Sequence, residues 1–519
     1  MSFPLETIVA RAKRKWFVYP GSQIYGWLAN AWDYGPYGAQ LKKNIADARW
    51  QFFVTERDDM IGMDTAILAH PRTWDASGHT ENFGDFLIDD KKTGQRFRPD
   101  KIIEDDIEKT LKEKVKWIQK NETDIPESEQ LDKAKSYFLQ EINTFMQVDN
   151  LIPEARGNND QEKSQNMYTY IVHYQLPNPE TKKNADRTDI RKFNLMLYTY
   201  LGPIHNEDNK TWMRPETCQS LFTNFKNICD TTRMRVPFGM AQIGKAFRNE
   251  ITPGQFLYRT REFEQMEIEY FLPTESKNPD EAARKEENRA ISKPFFDAWK
   301  ESSMKFWKEI IQIKDENLRF REHESDELSH YSQWTFDVEY MYPWGWGELQ
   351  WLANRGDWDL TRHQEFSQQD MQYKDPKTGA RYIPWVIEPS FGLSRTVMAV
   401  MMDCYDEETL EDGTARTVVR FPFALAPVKV AILPLIEKDE KMVKVGQWIY
   451  KTLSKHFKCD LDLGWNIGKR YRRQDEIGTP YCITIDHQTL EDQTVTIRDR
   501  DTMKQDRIKI EEIMTYIQK

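Results

Sequence analysis

The octapeptide Glu264-Gln265-Met266-Glu267-Ile268-Glu269-Tyr270-Phe271 limits the possible folds more than any other segment. Side chains alternate between the two faces of a strand. Read as a strand, it sends Met266, Ile268 and Tyr270 to one face, and Glu267 and Glu269 to the other. A core must cover the first face. The second is either the floor of a polar site or a face turned to solvent. Upstream, Val236–Phe247 alternates loosely, and Ile251–Leu257, with Pro253-Gly254, reads as a turn. Tyr258–Phe271 then reads as the returning strand. Four charges gather in this hairpin: Arg248, Glu250, Arg259 and Arg261. Planar guanidinium forks pair well with phosphate oxygens. A Glu can accept from an exocyclic amine, and Phe263 can stack on a base. Cross-strand ion pairs on a surface hairpin would also account for these charges.

The chain has 519 residues, which suggests about three domains. Apolar residues make up 39% and include 17 Trp, 22 Tyr and 27 Phe, so the composition is globular rather than disordered. The apolar runs are short, as in Val428–Ile436, against the roughly 20 residues a membrane helix needs. The opening residues have no secretory pattern. The five cysteines have no CxxC spacing, which argues against a disulfide scaffold or a cysteine zinc site and fits a cytoplasmic protein. The net charge of −11 argues mildly against a nucleic-acid partner, since phosphate contacts come from Lys and Arg, and no DNA partner is expected. Residues 426–519 are less acidic, with 17 Lys and Arg against 15 Asp and Glu.

Asp149–Asn166, Leu176–Thr188 and Pro273–Arg289 are polar and turn-rich and read as linkers or surface insertions. Ile102–Lys120 and Asp132–Val148 carry apolar residues every three or four positions and read as amphipathic helices. A domain boundary is expected at Ala426-Pro427. Beyond it a strand (Val428–Leu433), a helix (Met442–Phe457) and strands at Tyr481–Ile485 and Thr494–Arg498 predict a small α/β domain.

The hairpin sequence FRNE, a loop, then RTREFEQME resembles motif 2 of the class II aminoacyl-tRNA synthetases, in the form found in the glycyl-tRNA synthetase family. Other blocks resemble the same family in order along the chain. They are WDYGPYG (Trp32–Gly38, motif 1), RPETCQ (Arg214–Gln219), the blocks Arg321–Tyr340 and Trp344–His363, EPSFGLSR (Glu388–Arg395, motif 3), and IGKRYRRQDEIGTP (Ile467–Pro480). Where the family usually has RPETAQG, this chain carries Cys218 and Ser220.

The resemblance implies an α+β fold. A class II catalytic domain with an antiparallel sheet flanked by helices would occupy residues 1–425, with helical insertions at about 102–166 and 273–325. A C-terminal α/β anticodon-binding domain would occupy residues 426–519. It implies ligation of glycine to tRNA(Gly) through a glycyl-adenylate, with ATP as substrate, Mg²⁺ as cofactor and a homodimer built on motif 1. Arg248 would be the catalytic cation, steadying the charge on the α-phosphate. ATP would be held by Arg248, Asn249, Glu250, Tyr258, Arg259, Thr260, Arg261, Glu262, Phe263, Glu348, Leu349, Gly392, Leu393, Ser394 and Arg395. Glu348 would also be the Mg²⁺ ligand. Glycine would be held by Arg98, Glu216, Phe263, Glu264, Gln265, Met266, Glu267, Glu388, Pro389, Ser390, Phe391 and Gly392. Lys469, Arg470, Arg472 and Arg473, interleaved with Tyr471, would contact tRNA. Two other functions stay open from sequence: a class II synthetase for another small amino acid, or an inactive synthetase-like accessory protein that binds nucleic acid. A chain ending near Pro422 is expected to keep adenylate formation and to engage tRNA poorly.

Overall fold

The computed structural model describes residues 3–146, 159–274, 276, 278–323 and 332–518. By packing, the chain divides into two compact units. The first holds residues 1–67, 216–246 and 254–519, and the second holds 68–215 and 247–253.

The first unit is built on a seven-stranded sheet. Its strands are β1 (Met60–Gly62), β2 (Phe238–Phe247), β3 (Glu262–Leu272), β4 (Leu318–Glu322), β5 (Trp334–Tyr342), β6 (Gly345–Gly356) and β7 (Trp385–Gly392). Their spatial order is β4–β5–β6–β7–β3–β2–β1. From β4 to β3 the neighbours are antiparallel, whereas the short β1 runs parallel to β2. The antiparallel sheet expected from the sequence is therefore present. One face packs Met266, Ile268 and Tyr270 against Leu41 and Ile45 of helix Pro36–Trp50, Trp299 of helix Glu281–Lys305 and Val397 of helix Leu393–Asp403. The other face brings Phe271 together with Phe222 and Phe225 of helix Gln219–Thr231 and Leu360 of helix Trp358–Ser367. Glu267 and Glu269 lie on that second face and are only 1% and 0% exposed. Of the two possibilities left by the alternation, the polar-floor one holds.

Helix Pro36–Trp50 starts with Pro at its first turn, where a missing N–H costs nothing. Gly38 is required there because a Cβ would sit 1.8 Å from the carbonyl oxygen of Phe17. Pro273–Arg289 is not simply a linker, because helix Glu281–Lys305 begins inside it, capped by Asp280. Its first turns are so rich in Lys and Glu that no apolar stripe marks them in the sequence.

Residues 426–519 also lie in the first unit and form a sheet of β8 (Val430–Pro434), β9 (Cys459–Leu461), β10 (Tyr481–Ile485), β11 (Thr494–Asp499) and β12 (Gln505–Lys509). The order is β9–β8–β10–β11–β12; β8 is parallel to β9 and β10, and the rest is antiparallel. Val430, Ile432, Ile449, Ile483 and Ile497 are its core. Charge ties this sheet to the preceding hairpin, Tyr405–Thr409 with Ala415–Val419, and to the segment that follows it. Arg416 Nε donates to Asp475 Oδ2 at 2.9 Å, Arg498 Nη1 donates to Asp475 Oδ1 at 2.8 Å, and Arg500 Nη1 donates to the Phe421 carbonyl at 2.8 Å. Lys15 and Arg11 reach Glu476. A cut near Pro422 removes Asp475 and the Arg500 carbonyl from the Arg416 guanidinium. Such a truncation therefore breaks a buried ion-pair network.

In the second unit, strands Arg96–Phe97, Gly84–Asp89 and Arg191–Asn194 form an antiparallel sheet. Helices Pro99–Asn121, Glu127–Ile142 and Asp160–His173 bury Ile103, Ile107, Phe138, Ile142, Tyr170 and Ile171 against one another. The first two are the amphipathic helices read from the sequence, with shifted ends, whereas Asp160–His173 begins inside a stretch read as a linker or surface insertion. Within the polar stretch 149–166, residues 149–158 lie outside the described residues, and helix Asp160–His173 begins just after them. Leu176–Thr188 is an ordered turn. Its Asn178 is buried and donates to Asp90 Oδ2 at 2.6 Å.

Candidate active site

A buried polar island occupies the second face of the sheet. Antiparallel pairing sets Glu267 on β3 opposite Ser390 on β7, and Ala353 on β6 opposite Glu388. Glu216 and Thr217 come from the segment leading into helix Gln219–Thr231. Glu267 Oε2 accepts from the Thr217 backbone N–H at 2.8 Å and from the Thr217 hydroxyl; its Oε1 accepts from Ser390 Oγ at 3.1 Å. Arg355, at the end of β6, donates to Asp359 at 2.7 and 2.9 Å and to Glu388 Oε2 at 2.9 Å. Gln219 Nε2 donates to Asp359 Oδ1 at 2.8 Å and to Glu216 Oε1 at 3.0 Å. Cys218 Sγ lies 2.9 Å from the same Glu216 oxygen, and His363 Nε2 lies 2.9 Å from Gln219 Oε1.

Five carboxylates thus share this island: Glu216, Glu267, Glu269, Glu388 and Asp359, all buried. The guanidinium of Arg355 pairs with two of them, Asp359 and Glu388, and the buried Arg49 guanidinium acts on Glu267 through its charge. Burial raises the pKa of Glu267, Glu269 and Glu388, with Glu388 pushed up to about 8 although Arg355 pulls it back. The charge of Glu216 adds to the rise at Glu267, and that of Glu388 to the rise at Glu269. Burial also pushes the Cys218 thiol up and keeps His363 neutral. Such an island has a deficit of positive charge and attracts a small cation.

A second cluster stands at the far end of β7. Arg395 Nη1 donates to Glu348 Oε1 at 2.8 Å and Arg395 Nε to the Tyr258 carbonyl at 3.1 Å, with the guanidinium 4.4 Å over the Tyr258 ring. Glu348 lies three positions before Trp351, which pairs with Ser390, so the second cluster stands about 10 Å from Ser390 along the strands.

The side chains expected to form the glycine and nucleotide sites are distributed as follows. Glu216, Glu267, Glu388 and Ser390 come together in the island, and Tyr258, Glu348 and Arg395 in the second cluster. Arg259, Arg261 and Phe263 are half-buried, the Thr260 hydroxyl caps the Glu262 carbonyl at 2.8 Å, and Ser394 is buried. Glu262 pairs with Lys245, and Glu264 pairs with Lys42. Gln265 is buried. Met266, Leu349, Phe391 and Leu393 belong to the apolar core, so only their backbone is available to a ligand. Pro389 lies within β7 between Glu388 and Ser390. Arg248, Asn249 and Glu250 are half-buried in the second unit. There Arg248 Nε donates to the Pro215 carbonyl at 3.0 Å and its guanidinium lies 5.2 Å over the Phe83 ring. Arg98 is in the same unit, paired with Asp85 at 2.8 Å and with Asp100. Two acids already neutralise it.

Four polar groups of the island were missed from the sequence: Glu269, Arg355, Asp359 and Gln219. Alternation places Glu269 on the face of Glu267 without deciding whether that face meets a site or solvent, and the i, i+4 spacing of Arg355 and Asp359 is a pairing signal that was not used.

In the C-terminal sheet, Lys469, Arg470, Arg472 and Arg473 lie on helix Ile467–Ile477. Arg470 is corrected as an RNA contact. It is buried and donates to the carbonyls of Pro434 at 2.7 Å and Asp462 at 3.0 Å, which ties the helix to β8. Arg473 is held by Asp462, and Tyr471 by Thr484 at 2.6 Å. Lys469 and Arg472 line a cavity of about 850 Å³ with Trp465 at its edge. Trp465 is 70% exposed and stacks under Lys469 Nζ at 4.8 Å.

Residues 429–519 match a family model described as an anticodon binding domain, and residues 85–195 match one described as glycyl-tRNA synthetase insertion domain 1. The chain is 46% identical over 518 residues to the glycine–tRNA ligase of Geobacillus kaustophilus (strain HTA426), covering 100% of this chain and 99% of the relative. It is 47% identical over 514 residues to that of Clostridium kluyveri, covering 99% and 97%. It is 44% identical over 514 residues to that of Acetivibrio thermocellus, covering 99% and 98%.

Proposed function

The chain belongs to the glycine–tRNA ligase family, and on that premise we propose that the carboxylate island seats glycine and the Tyr258–Glu348–Arg395 cluster seats ATP. The enzyme joins glycine to tRNA. Its substrate has no side chain, so its ammonium and the lack of room beyond its α-carbon are what a protein can recognise. The observation that supports the seat is the excess of buried carboxylates over Arg355, which a lone ammonium relieves.

The two clusters follow one another along β6 and β7, the order needed for the carboxylate of a seated amino acid to face the α-phosphate. A glycine carboxylate oxygen attacks phosphorus, the bond to pyrophosphate breaks, and glycyl-adenylate forms. A terminal ribose hydroxyl of tRNA then attacks the carbonyl, and AMP leaves. Arg395 steadies the phosphate charge that builds in the first step, a role that the family resemblance gives to Arg248 as well. Glu250 accepts from the adenine amine, and Phe263 stacks on the ring. Arg259 and Arg261 hold the outer phosphates. Glu348 offers a half-exposed carboxylate, and its Oε1 is held by Arg395. That donor fits Mg²⁺, which takes one or two carboxylates together with phosphate oxygens and water. The chemistry Mg²⁺ supplies when bound is neutralisation of charge on the departing pyrophosphate.

Trp465, Lys469 and Arg472 give the C-terminal cavity a stacking surface and two cations, which suits unpaired tRNA bases. Ile24 and Tyr25 are 87% and 88% exposed, and Leu28 and Trp16 lie open beside the motif 1 segment. An apolar patch of this kind supports a homodimer. Among the described residues no helix is long and apolar enough to cross a membrane, and all five cysteines are free thiols. The free thiols fit a reducing, cytoplasmic setting. ATP–pyrophosphate exchange tests the reading. It should depend on glycine among the common amino acids, and exchange driven equally by alanine or serine overturns the glycine seat.

A further inference from the structure

We propose that Glu269 is a further ammonium-binding residue of the glycine seat, and that glycine enters it in exchange for a proton. The proposal rests on the reading of the island as that seat.

The argument begins with a count of hydrogen bonds. Glu267 accepts from Thr217 and Ser390, Glu388 from Arg355, and Glu216 from Gln219 and Cys218. Glu269 is as deeply buried as these, yet neither of its oxygens has a hydrogen-bond partner among the described residues. A buried carboxylate left without donors cannot stay ionised at a bearable cost. It holds a proton or waits for a cation.

The surroundings of Glu269 favour this on every side. Glu267 precedes it on β3, and Glu388 projects from the adjacent β7. Asp359 stands on helix Trp358–Ser367, where it is bound by Arg355. The Cys218 thiol leads into helix Gln219–Thr231, and burial keeps it protonated. His363 is neutral and turned to Gln219. Arg355 is already shared by Asp359 and Glu388. Burial first, then the charge of Glu388, raises the pKa of Glu269 well above the usual carboxylate range although Arg355 pulls it back, so the protonated form is favoured.

Carboxylate oxygens of Glu269 and Glu388 lie within 4.8 Å of each other and of Cys218 Sγ. A charged N–H···O bond is about 2.8 Å long, so a single ammonium nitrogen can bridge two oxygens up to roughly 5.6 Å apart. The exchange balances: the Glu269 carboxyl releases its proton to water, and the carboxylate left behind pairs with the incoming ammonium.

Calorimetric titration of the full chain with glycine tests this, in two buffers of different ionisation enthalpy across about pH 6 to 8. The wild type should release about one proton per glycine, and its affinity should rise by up to about tenfold per pH unit. In Glu269→Gln the release should fall away. The KM for glycine should rise by about tenfold or more, with a smaller change in kcat. Unchanged glycine affinity in Glu269→Gln, or full proton release persisting there, overturns the proposal. If Glu269→Gln gives no cooperative melt, the wild type decides, and a pH-independent affinity without proton release overturns it. A well-folded wild type that binds no glycine at any pH sinks the glycine seat itself, a different failure.

Discussion

Arg355→Met should be among the most damaging substitutions in the catalytic sheet, and its cost should grow with pH. The guanidinium is buried and holds Asp359 at 2.7 and 2.9 Å and Glu388 at 2.9 Å. Methionine keeps most of the volume but leaves two buried carboxylates without a cation. Breaking one buried pair typically costs about 3–5 kcal/mol. In a cooperative unit that lowers Tm by roughly 6–20 °C. The pH dependence follows from the direction of the Glu388 shift. Its pKa in the folded protein is raised, to about 8 with Arg355 in place. A raised carboxyl binds its proton more tightly folded than unfolded, so its contribution to stability is fully present below the unfolded value of about 4.3. That contribution is lost as pH rises toward about 8. Removing Arg355 raises Glu388 further, since Arg355 is the group holding it down. The gap between wild type and Arg355→Met should therefore be widest near pH 8 and narrow toward about pH 5, where protonated acids need no cation. Scanning calorimetry at both pH values reads it. A fall in Tm below about 2 °C, or a gap independent of pH, refutes the ion-pair account. Arg355→Lys should fall between the two, because one ammonium does not reproduce the fork that spans Asp359 and Glu388.

Other outcomes are open to direct measurement. Arg248→Ala should lower pyrophosphate exchange by about 10²–10³ with an unchanged melt, as expected for loss of a group that stabilises the transition state; near wild-type exchange removes Arg248 from the chemistry. Trp465→Ala should weaken apparent tRNA affinity by about 1–3 kcal/mol and leave exchange intact, and unaltered charging at sub-saturating tRNA takes the C-terminal cavity out of RNA binding. Alanine should drive exchange about 10- to 200-fold less efficiently than glycine, through the cost of fitting one methyl group into a tight seat, and parity sinks steric selection. Asp475→Ala should destabilise the C-terminal sheet by about 3–5 kcal/mol, because Arg416 and Arg498 lose their shared buried carboxylate; a thermal scan showing no earlier transition contradicts that network.

Local alternation and motif order were legible along the chain. The two faces of Glu264–Phe271, the strand–helix–strand order after Ala426 and the amphipathic helices of residues 99–142 all follow from side-chain periodicity, which needs no knowledge of distant residues. So did the family, because its motifs are contiguous blocks. Arg470 looked like its neighbours Lys469 and Arg472, yet a helix turns successive residues about 100° apart, and packing on β8 consumed one cation of the run and left Lys469 exposed. Helix Glu281–Lys305 was hidden because its opening turns are solvated and carry no apolar stripe. Whether Glu267 and Glu269 faced water or a site was undecidable from alternation, since both fates give the same pattern. Only the strand pairing that sets Ser390 and Glu388 beside them, and the helix that carries Gln219 over them, decided it. Burial and hydrogen-bond partners are properties of residues far apart in sequence. A carboxylate's charge state depends on both, so it belongs to the tertiary structure and not to the residue.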